Sequence, residues 1–180
     1  MSKNEWKILQ KTTAFKNKFR EIEDWLVQNH QGKKANYFIR KGNDVAVVFA
    51  ITEDQQVLIL RQFFVSSMKR FVTLVAGMVP TGTDPLEIAK VELREEAGCE
   101  AKEWIELGSS LRGKWSTGEL YFYIARGVEK KFSQDLEEAE DIDVEFISLA
   151  DFKKILKNFK LQDATSVAGA YKALDYLGEL

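Results

Sequence analysis

Three glutamates on one predicted helix are the residues of this chain best suited to chemistry. Glu92, Glu95 and Glu96 stand three and four residues apart, so their side chains share one face on neighbouring turns. Like charges this close repel, and no lysine or arginine stands at i±4 of Glu92 or Glu96 to offset them. A divalent cation such as Mg²⁺, which prefers carboxylate oxygens, would relieve the repulsion. The alternative interpretation is an acidic face that is simply solvated.

The helix that carries these glutamates is bounded by local signals at both ends. Asp84 is a favourable N-cap, Pro85 suits the first helical position, and Glu87 is placed to reach back to the amide of the cap. Gly98 supplies the left-handed residue that ends a helix. An apolar stripe for packing on the core lies beside the acidic face and consists of Leu86, Ala89, Leu93 and Ala97.

The residues around this helix resemble the Nudix box, the pattern G-x5-E-x7-R-E-U-x-E-E-x-G-U in which U is apolar. Seven positions match, namely Gly77, Glu92, Leu93, Glu95, Glu96, Gly98 and Cys99. Two positions depart, because Thr83 stands where the family has glutamate and Val91 where it has arginine. An arginine at position 91 would hold Glu95 by a charge-assisted bond at i,i+4, which valine cannot do. The box is therefore degenerate but keeps its three acidic residues.

Outside the box the chain most resembles the ADP-ribose/nucleoside-diphosphate-sugar pyrophosphatase branch of the Nudix superfamily. The resemblance is carried by Leu60–Phe63, Val75–Gly77, the acidic run Glu137–Asp141 and Asp163–Ser166. It implies an α/β fold, the Nudix-type α/β/α sandwich with a mixed sheet, and a short N-terminal β arm that builds a homodimer. It also implies Mg²⁺-dependent hydrolysis of the diphosphate in a nucleoside diphosphate linked to another moiety, such as ADP-ribose or a nucleotide sugar.

The resemblance implies a role for each acidic residue that matches the family pattern. Glu92, Glu95 and Glu96 correspond to metal ligands, and Ala76 to the residue whose main-chain carbonyl also coordinates the ion, with Mn²⁺ as a second candidate metal. Either Glu138 or Glu140 corresponds to the loop glutamate that acts with Glu95 in catalysis by orienting or deprotonating the attacking water. A carboxylate base is expected because the only histidine, His30, lies in a polar turn far from the box in sequence.

Two sets of residues are candidates for binding the substrate. Arg61 is the cation left on the predicted strand Val57–Phe64, ahead of the box, and its alternative interpretation is a charge at the rim. Arg112, Lys114 and Trp115 combine cations with an aromatic ring, a pairing that can hold phosphate and stack a base, although the tryptophan could equally serve in packing. Phe64 and Thr73 replace an arginine and a glutamate that the branch often carries, which weighs against strict specificity for adenine or for ADP-ribose.

Composition limits the classes of function. The chain has 180 residues, a net charge of −2, 45% hydrophobic and 30% charged residues, and one cysteine, Cys99. These values predict a globular protein with no general attraction to nucleic acid or membrane, and the absence of a signal sequence or a long apolar run predicts a cytoplasmic location. The single cysteine excludes an internal disulfide and is expected to be a buried thiol.

Hydrophobic periodicity divides the chain into an arm, residues 1–43, and a Nudix domain, residues 44–180. We expect two or three aromatic-rich strands in the arm and a strand hairpin just after it. One further strand is expected before the box helix, three after it, and two closing helices. The arm segments are Trp6–Leu9, Thr13–Val27 and Tyr37–Arg40, and the hairpin strands are Val45–Ile51 and Val57–Phe64. The strand before the box helix is Phe71–Ala76, and the strands after it are Trp104–Ser109, Leu120–Ala125 and Ile142–Ile147. The closing helices are Asp151–Phe159 and Asp163–Leu177.

Two functions of other classes compete with hydrolysis. The departures at Thr83, Val91, Thr73 and Phe64 would suit a non-catalytic Nudix-like module that binds a nucleotide or a protein partner. A structural dimer that uses the acidic helix only for solubility is the third alternative. Mg²⁺ separates hydrolysis from this third alternative, because a metal that binds the folded state raises its thermal stability.

Overall fold

The computed structural model describes residues 5–180, which fall into two compact units. The first unit comprises the chain up to Asn43 together with Leu111–Glu119, and the second comprises Asp44–Ser110 and Leu120–Leu180. The predicted arm therefore ends at the same residue as the main part of the first unit. The segment Leu111–Glu119, which the periodicity assigned to the Nudix domain, belongs with the arm instead.

The first unit is built on a three-stranded antiparallel sheet. Its strands are β1 (Lys7–Lys16), β2 (Glu21–Gln28) and β3 (Lys34–Lys41), in the order β1-β2-β3. The segment Leu111–Glu119 joins the end of β3 through backbone hydrogen bonds between Arg40 N–H and Trp115 O (2.9 Å) and between Thr117 N–H and Arg40 O (3.0 Å). The predicted N-terminal β arm is confirmed, with three strands.

The second unit contains a seven-stranded mixed sheet. Its strands are β4 (Asp44–Ile51), β5 (Gln56–Phe64), β6 (Lys69–Thr73), β7 (Val75–Val79), β9 (Glu103–Leu111), β10 (Glu119–Arg126) and β12 (Ile142–Ser148). The order is β12-β5-β4-β10-β9, with β6 on β5 and β7 on β4. Strands β4 and β10 run parallel, which makes the sheet mixed as predicted. Two short strands, β8 (Cys99–Glu100) and β11 (Glu129–Lys130), pair separately.

Helices cover both faces of this sheet, as the α/β/α prediction required. Helix α1 (Pro85–Ala97) packs on one face, and helices α2 (Leu149–Lys157) and α3 (Ala164–Leu177) pack on the other. Because side chains alternate along a strand, Leu58 and Leu60 of β5 face α1, whereas Val57 and Ile59 face α2 and α3. No helix within residues 5–180 is long and apolar enough to cross a membrane.

The segment before the box differs from the prediction of a single strand over 71–76. It forms two strands separated by Leu74: β6 pairs with β5, and β7 pairs with β4. The backbone N–H of Leu74 donates instead to the buried hydroxyl of Ser166 in α3 (3.0 Å), which supplies the hydrogen bond that a strand neighbour would otherwise give. Strand β6 also begins at Lys69, two residues before the predicted start at Phe71. The predicted hairpin of β4 and β5 pairs only at Ile51 and Val57.

The termini of α1 follow the predicted capping with one exception. Asp84 accepts a hydrogen bond from Leu86 N–H, Pro85 opens the helix, and Gly98 ends it at φ 66°. The capping-box prediction for Glu87 is wrong, because its carboxylate accepts a hydrogen bond from Lys90 (2.7 Å). A lysine at i+3 offers a charged donor, which is a stronger partner than the amide of the cap.

Candidate active site

Glu96 is the most deeply placed of the helix glutamates. Its side chain lies in the last turn of α1, only 4% of the residue is exposed, and Oε2 accepts a hydrogen bond from Ala76 N–H of β7 (3.1 Å). Burial raises the pKa of Glu96 well above its usual value, and the negative charges of Glu92, Glu140 and Glu95 raise it further, while the Ala76 bond opposes them. The helix and the strand before it therefore hold one carboxylate in a fixed position.

Glu92 lies one turn earlier and fills the space beside Gly77. A Cβ at position 77 would lie 1.8 Å from Glu92 Oε1, so only glycine leaves room for this carboxylate. Burial, together with the charges of Glu95, Glu140 and Glu137, raises the pKa of Glu92 to about 7. The spacing between the first glycine of the box and this glutamate thus has a direct steric meaning.

The loop of residues 136–141, called here the glutamate loop, brings further acids toward α1. Glu140 Oε2 accepts a hydrogen bond from Glu137 N–H (2.9 Å), which closes a turn within the loop. The charges of Glu137 and Glu140 act on Glu92, and that of Glu140 also acts on Glu96. Glu138 is exposed and has no part in either shift. Of the two base candidates, Glu140 is the one whose charge reaches the helix glutamates.

The helix glutamates and the glutamate loop form an acidic cluster without cations. Within residues 5–180, no ion pair includes Glu92, Glu95, Glu96, Glu137 or Glu140. Across the same residues, no three acidic, histidine or cysteine side chains already stand close enough together to form a metal cluster. Glu95 is exposed at the rim. The donor set fits a hard divalent cation, because carboxylates that lack a cationic neighbour gain most from one.

The metal-free protein is expected to lose stability as pH rises from about 4.5 to about 7. A raised pKa means that folded Glu92 retains its proton where the unfolded chain has released it, so the free energy of unfolding falls across this interval. Since Glu92 is only partly buried, the loss is about 1–2 kcal/mol, and Glu96 acts in the same direction.

Urea unfolding at pH 5 and pH 7.5, with a chelator present, measures this dependence. The variant Glu92→Gln is the control, and its stability should fall less across the same interval because one of the two titrating groups is gone. Millimolar Mg²⁺ should restore stability at pH 7.5 more than at pH 5, since metal competes with protons for these oxygens. Stability that rises with pH in the chelated protein would contradict the placement of these carboxylates.

The structure does not bring Arg61 to the helix glutamates. Along β5, Arg61 follows Val57 and Ile59 on the face that packs against α2 and α3, opposite the face covered by α1. Its guanidinium makes a bidentate pair with Glu145 of β12, at 2.6 and 3.0 Å. The alternative interpretation, a rim charge paired across two strands, fits these contacts, and the substrate-binding prediction gains no support from them.

Arg112, Lys114 and Trp115 lie in the first unit. The Trp115 ring stacks on Tyr37 with centroids 5.3 Å apart, and Lys114 Nζ stands 4.7 Å from the Trp115 ring centroid. Arg112 Nη1 donates to Asn43 O (2.9 Å). Trp115 remains 48% exposed, so its packing against Tyr37 leaves part of the ring accessible. These contacts do not decide between packing and base stacking, and the binding role stays a prediction.

Two polar residues that position the site were given no individual role by the sequence interpretation. Gln134 donates to the main-chain oxygens of Glu96 (2.7 Å) and Ile142 (3.1 Å). The Ser166 hydroxyl accepts a hydrogen bond from Leu74 N–H and donates one to Asp163, the N-cap of α3 (2.8 Å). The spacing of Asp163 and Ser166 is a capping signal that could have been found, whereas nothing in the sequence around Gln134 marks its contacts.

Comparisons with known proteins agree with this geometry. The sequence profile of the NUDIX domain matches residues 41–168. The methanol dehydrogenase activator of Bacillus methanolicus is 29% identical over 150 residues, covering 82% of this chain and 80% of that protein. The ADP-ribose pyrophosphatase of Bacillus subtilis (strain 168) is 26% identical over 181 residues, covering 98% and 95%.

A solved structure agrees on the fold over the full length. It is described as an ADP compounds hydrolase, superposes with a TM-score of 0.85 at 18% identity, and covers 100% of both chains. The family profile spans well over half of this chain and includes the helix that bears the three glutamates. The chain belongs to the NUDIX domain family and is a Nudix-type hydrolase.

Proposed function

We propose that this protein is a Mg²⁺-dependent pyrophosphohydrolase that cleaves the diphosphate of a nucleoside diphosphate linked to another moiety, of the ADP-ribose or nucleotide-sugar type. The observation that carries the proposal is the pair formed by Glu92, which is partly buried, and Glu96, which is buried. Both carboxylates lack a cationic partner among the described residues, and Gly77 provides the space that Glu92 occupies. Removing a carboxylate from water costs free energy, and a bound cation would offset that cost.

In this proposal the side chains of Glu92, Glu95 and Glu96 and the main-chain carbonyl of Ala76 hold the metal. Bound Mg²⁺ or Mn²⁺ would neutralise the diphosphate and lower the pKa of a coordinated water. Glu140 takes the proton of the water that attacks one phosphorus, while the bridging oxygen leaves with the other phosphate. Two observations support this role: Glu140 Oε2 accepts from Glu137 N–H within the loop, and the charge of Glu140 acts on Glu92 and Glu96.

The substrate class rests on the relatives and on the chemistry of the acidic cluster. One relative is named an ADP-ribose pyrophosphatase, and the solved structure with the same fold is named an ADP compounds hydrolase. Phe64 packs edge-to-face on Phe71 (5.3 Å) and offers no charge where the branch often has arginine. We therefore expect the diphosphate to be recognised more strictly than the base.

A cytoplasmic location is also part of the proposal, and the single cysteine, Cys99, supports it because its thiol is free and buried.

The arm is proposed as a homodimer interface. The support for dimerisation is a set of large apolar side chains that are half exposed or more within the first unit. They are Trp6, Ile8, Phe15, Phe19 and Phe38. Light scattering should give twice the chain mass, and Phe15→Asp with Phe38→Asp should give a monomer; a wild-type monomer at micromolar concentration would reject the proposal.

A substrate panel tests the proposed function. ADP-ribose, nucleotide sugars, dinucleoside polyphosphates and nucleoside triphosphates are each incubated with Mg²⁺, with Mn²⁺ and with a chelator. We expect ADP-ribose or a nucleotide sugar to give two monophosphates, and the chelator to abolish the reaction. If no compound turned over with either metal, the non-catalytic binding module would replace hydrolysis as the proposed function.

A further inference from the structure

The C-terminal end of α1 is capped by a distant segment of the chain. The last four carbonyls of a helix lack partners within it. Here Arg94 O accepts from Gly98 N–H, Glu95 O from Asp135 N–H (2.9 Å), and Ala97 O from the Cys99 thiol (3.4 Å). The remaining carbonyl, that of Glu96, accepts from the side chain of Gln134. Residues 131–135, called here the strap, therefore complete the end of the helix that carries Glu95 and Glu96.

The strap lies so close to the end of α1 that the residue after the helix must be glycine for a second reason, besides its backbone conformation. A Cβ on Gly98 would lie 2.3 Å from the main-chain oxygen of Phe132, apart from the strain of its positive φ. The N–H groups of Lys131 and Phe132 both donate to Gly98 O, at 2.9 and 3.0 Å. Backbone contact at this distance fixes the start of the strap against the helix end.

Gln134 connects that helix end to the strand beyond the glutamate loop. Its Nε2 donates to Glu96 O (2.7 Å) and to Ile142 O, the first residue of β12 (3.1 Å). One half-buried amide, two residues before the loop, thus bonds both to the helix end and to the first residue after the loop. The far end of the loop is held further by Arg70, which pairs with Asp141, and by Phe63 N–H, which donates to Asp141 O (3.1 Å).

We propose that Gln134 is a positioning residue. Its two hydrogen bonds hold the ends of the glutamate loop together and so keep Glu140 near Glu92 and Glu96. The inference rests on the proposed function for its catalytic consequence, but the anchoring itself does not depend on it. Without the two bonds the loop would keep its ends near the sheet while its acids move by an ångström or more. Displacements of that size are enough to slow a positioned proton transfer by about two orders of magnitude.

Gln134→Met tests the anchoring, because it keeps the length of the side chain and removes both donors. In metal-free protein, amide hydrogen exchange over residues 136–141 should become at least tenfold faster. With Mg²⁺ and ADP-ribose, kcat should fall tenfold or more while KM stays within threefold. Gln134→Lys, whose ammonium can donate to both carbonyls, should restore slow exchange over the same residues.

Ser148→Ala is the matched control, since it removes the N-cap of α2 and a comparable amount of stability without touching the loop. It should leave exchange over 136–141 and kcat unchanged. Should Gln134→Met not fold, Gln134→Asn, which is one methylene shorter and loses one bond, takes its place with a smaller acceleration in the same segment.

Unchanged exchange over 136–141 in Gln134→Met would overturn the inference, and so would faster exchange with an unchanged kcat. If the unaltered protein hydrolyses none of the substrate panel, the proposed function fails, and the exchange result alone then decides whether Gln134 holds the loop.

Discussion

Replacing Glu96 by glutamine is expected to lower the rate of Mg²⁺-dependent hydrolysis by about 10²–10³-fold, the size of effect found when one fixed electrostatic group of an active site is removed. Glutamine has nearly the same shape but no charge, so it would weaken the hold on the metal. The oxygen that accepts from Ala76 N–H would be kept. In the chelated protein at neutral pH the free energy of unfolding should be unchanged or higher, because glutamine does not carry the cost of a buried carboxyl group whose pKa is raised on folding.

The control for this variant is Glu87→Gln on the same helix. Glu87 is exposed and pairs with Lys90, so its replacement should change neither the rate nor the response to Mg²⁺. Rates with ADP-ribose and melting temperatures with and without Mg²⁺ are measured for both variants. A Glu96→Gln protein that retains its rate within tenfold would remove Glu96 from the site.

Alanine at position 77 is expected to reduce hydrolysis by about 10²-fold and to destabilise the protein by about 1–3 kcal/mol, as overpacking of a close contact does. The added Cβ would fall 1.8 Å from Glu92 Oε1 and 2.2 Å from its Cγ, so the glutamate has to leave its position. Gly77 does not have a positive φ, so the backbone itself accepts alanine without strain. The whole effect should therefore come from the contact with Glu92.

A double-mutant cycle with Glu92→Ala separates this contact from other causes. In the Glu92→Ala background there is no side chain for the new methyl group to displace, so the destabilisation by Gly77→Ala should largely disappear. Urea unfolding of the four proteins measures the coupling. Additive effects, with the same loss in both backgrounds, would show that glycine is required at position 77 for a reason other than the placement of Glu92.

Local signals in the sequence were sufficient for α1 and its glutamates. Asp84, Pro85 and Gly98 act within a few residues of themselves, so the structure has the helix where the pattern placed it. The relation of Gly77 to Glu92 could also be anticipated, because fifteen residues link them through one turn and one helix. Contacts of this range follow from element lengths and from the periodicity of the helix.

The residues that sequence interpretation placed incompletely depend on partners far along the chain. Leu74 leaves the strand ladder because Ser166, 92 residues later, supplies its hydrogen bond. Arg61 turns away from α1 because the register of β5 assigns it to the other face, where Glu145, 84 residues later, meets it. Gln134 acquires its role only when α1 and β12 are side by side. No local pattern encodes such pairings, since sheet register is set by the whole fold.

The degenerate box also has a structural consequence. Val91 is 43% exposed, and Glu95 has no ion pair among residues 5–180, so the arginine that the family pattern places at position 91 has no substitute in the described part of the chain. Glu95 is thus less restrained than Glu92 and Glu96. We expect the metal to bring it into the ligand set rather than to find it there.

The most direct test of the central claim is a count of the metal ions that the helix glutamates hold. Mn²⁺ is titrated into the intact protein at pH 7.5 with a non-hydrolysable ADP-ribose analogue, and free and bound ions are separated by electron paramagnetic resonance. The account predicts at least one tightly bound ion in the unaltered protein and its loss in Glu96→Gln, with Glu87→Gln unchanged. Equal binding by all three proteins, or no binding by any, would contradict it.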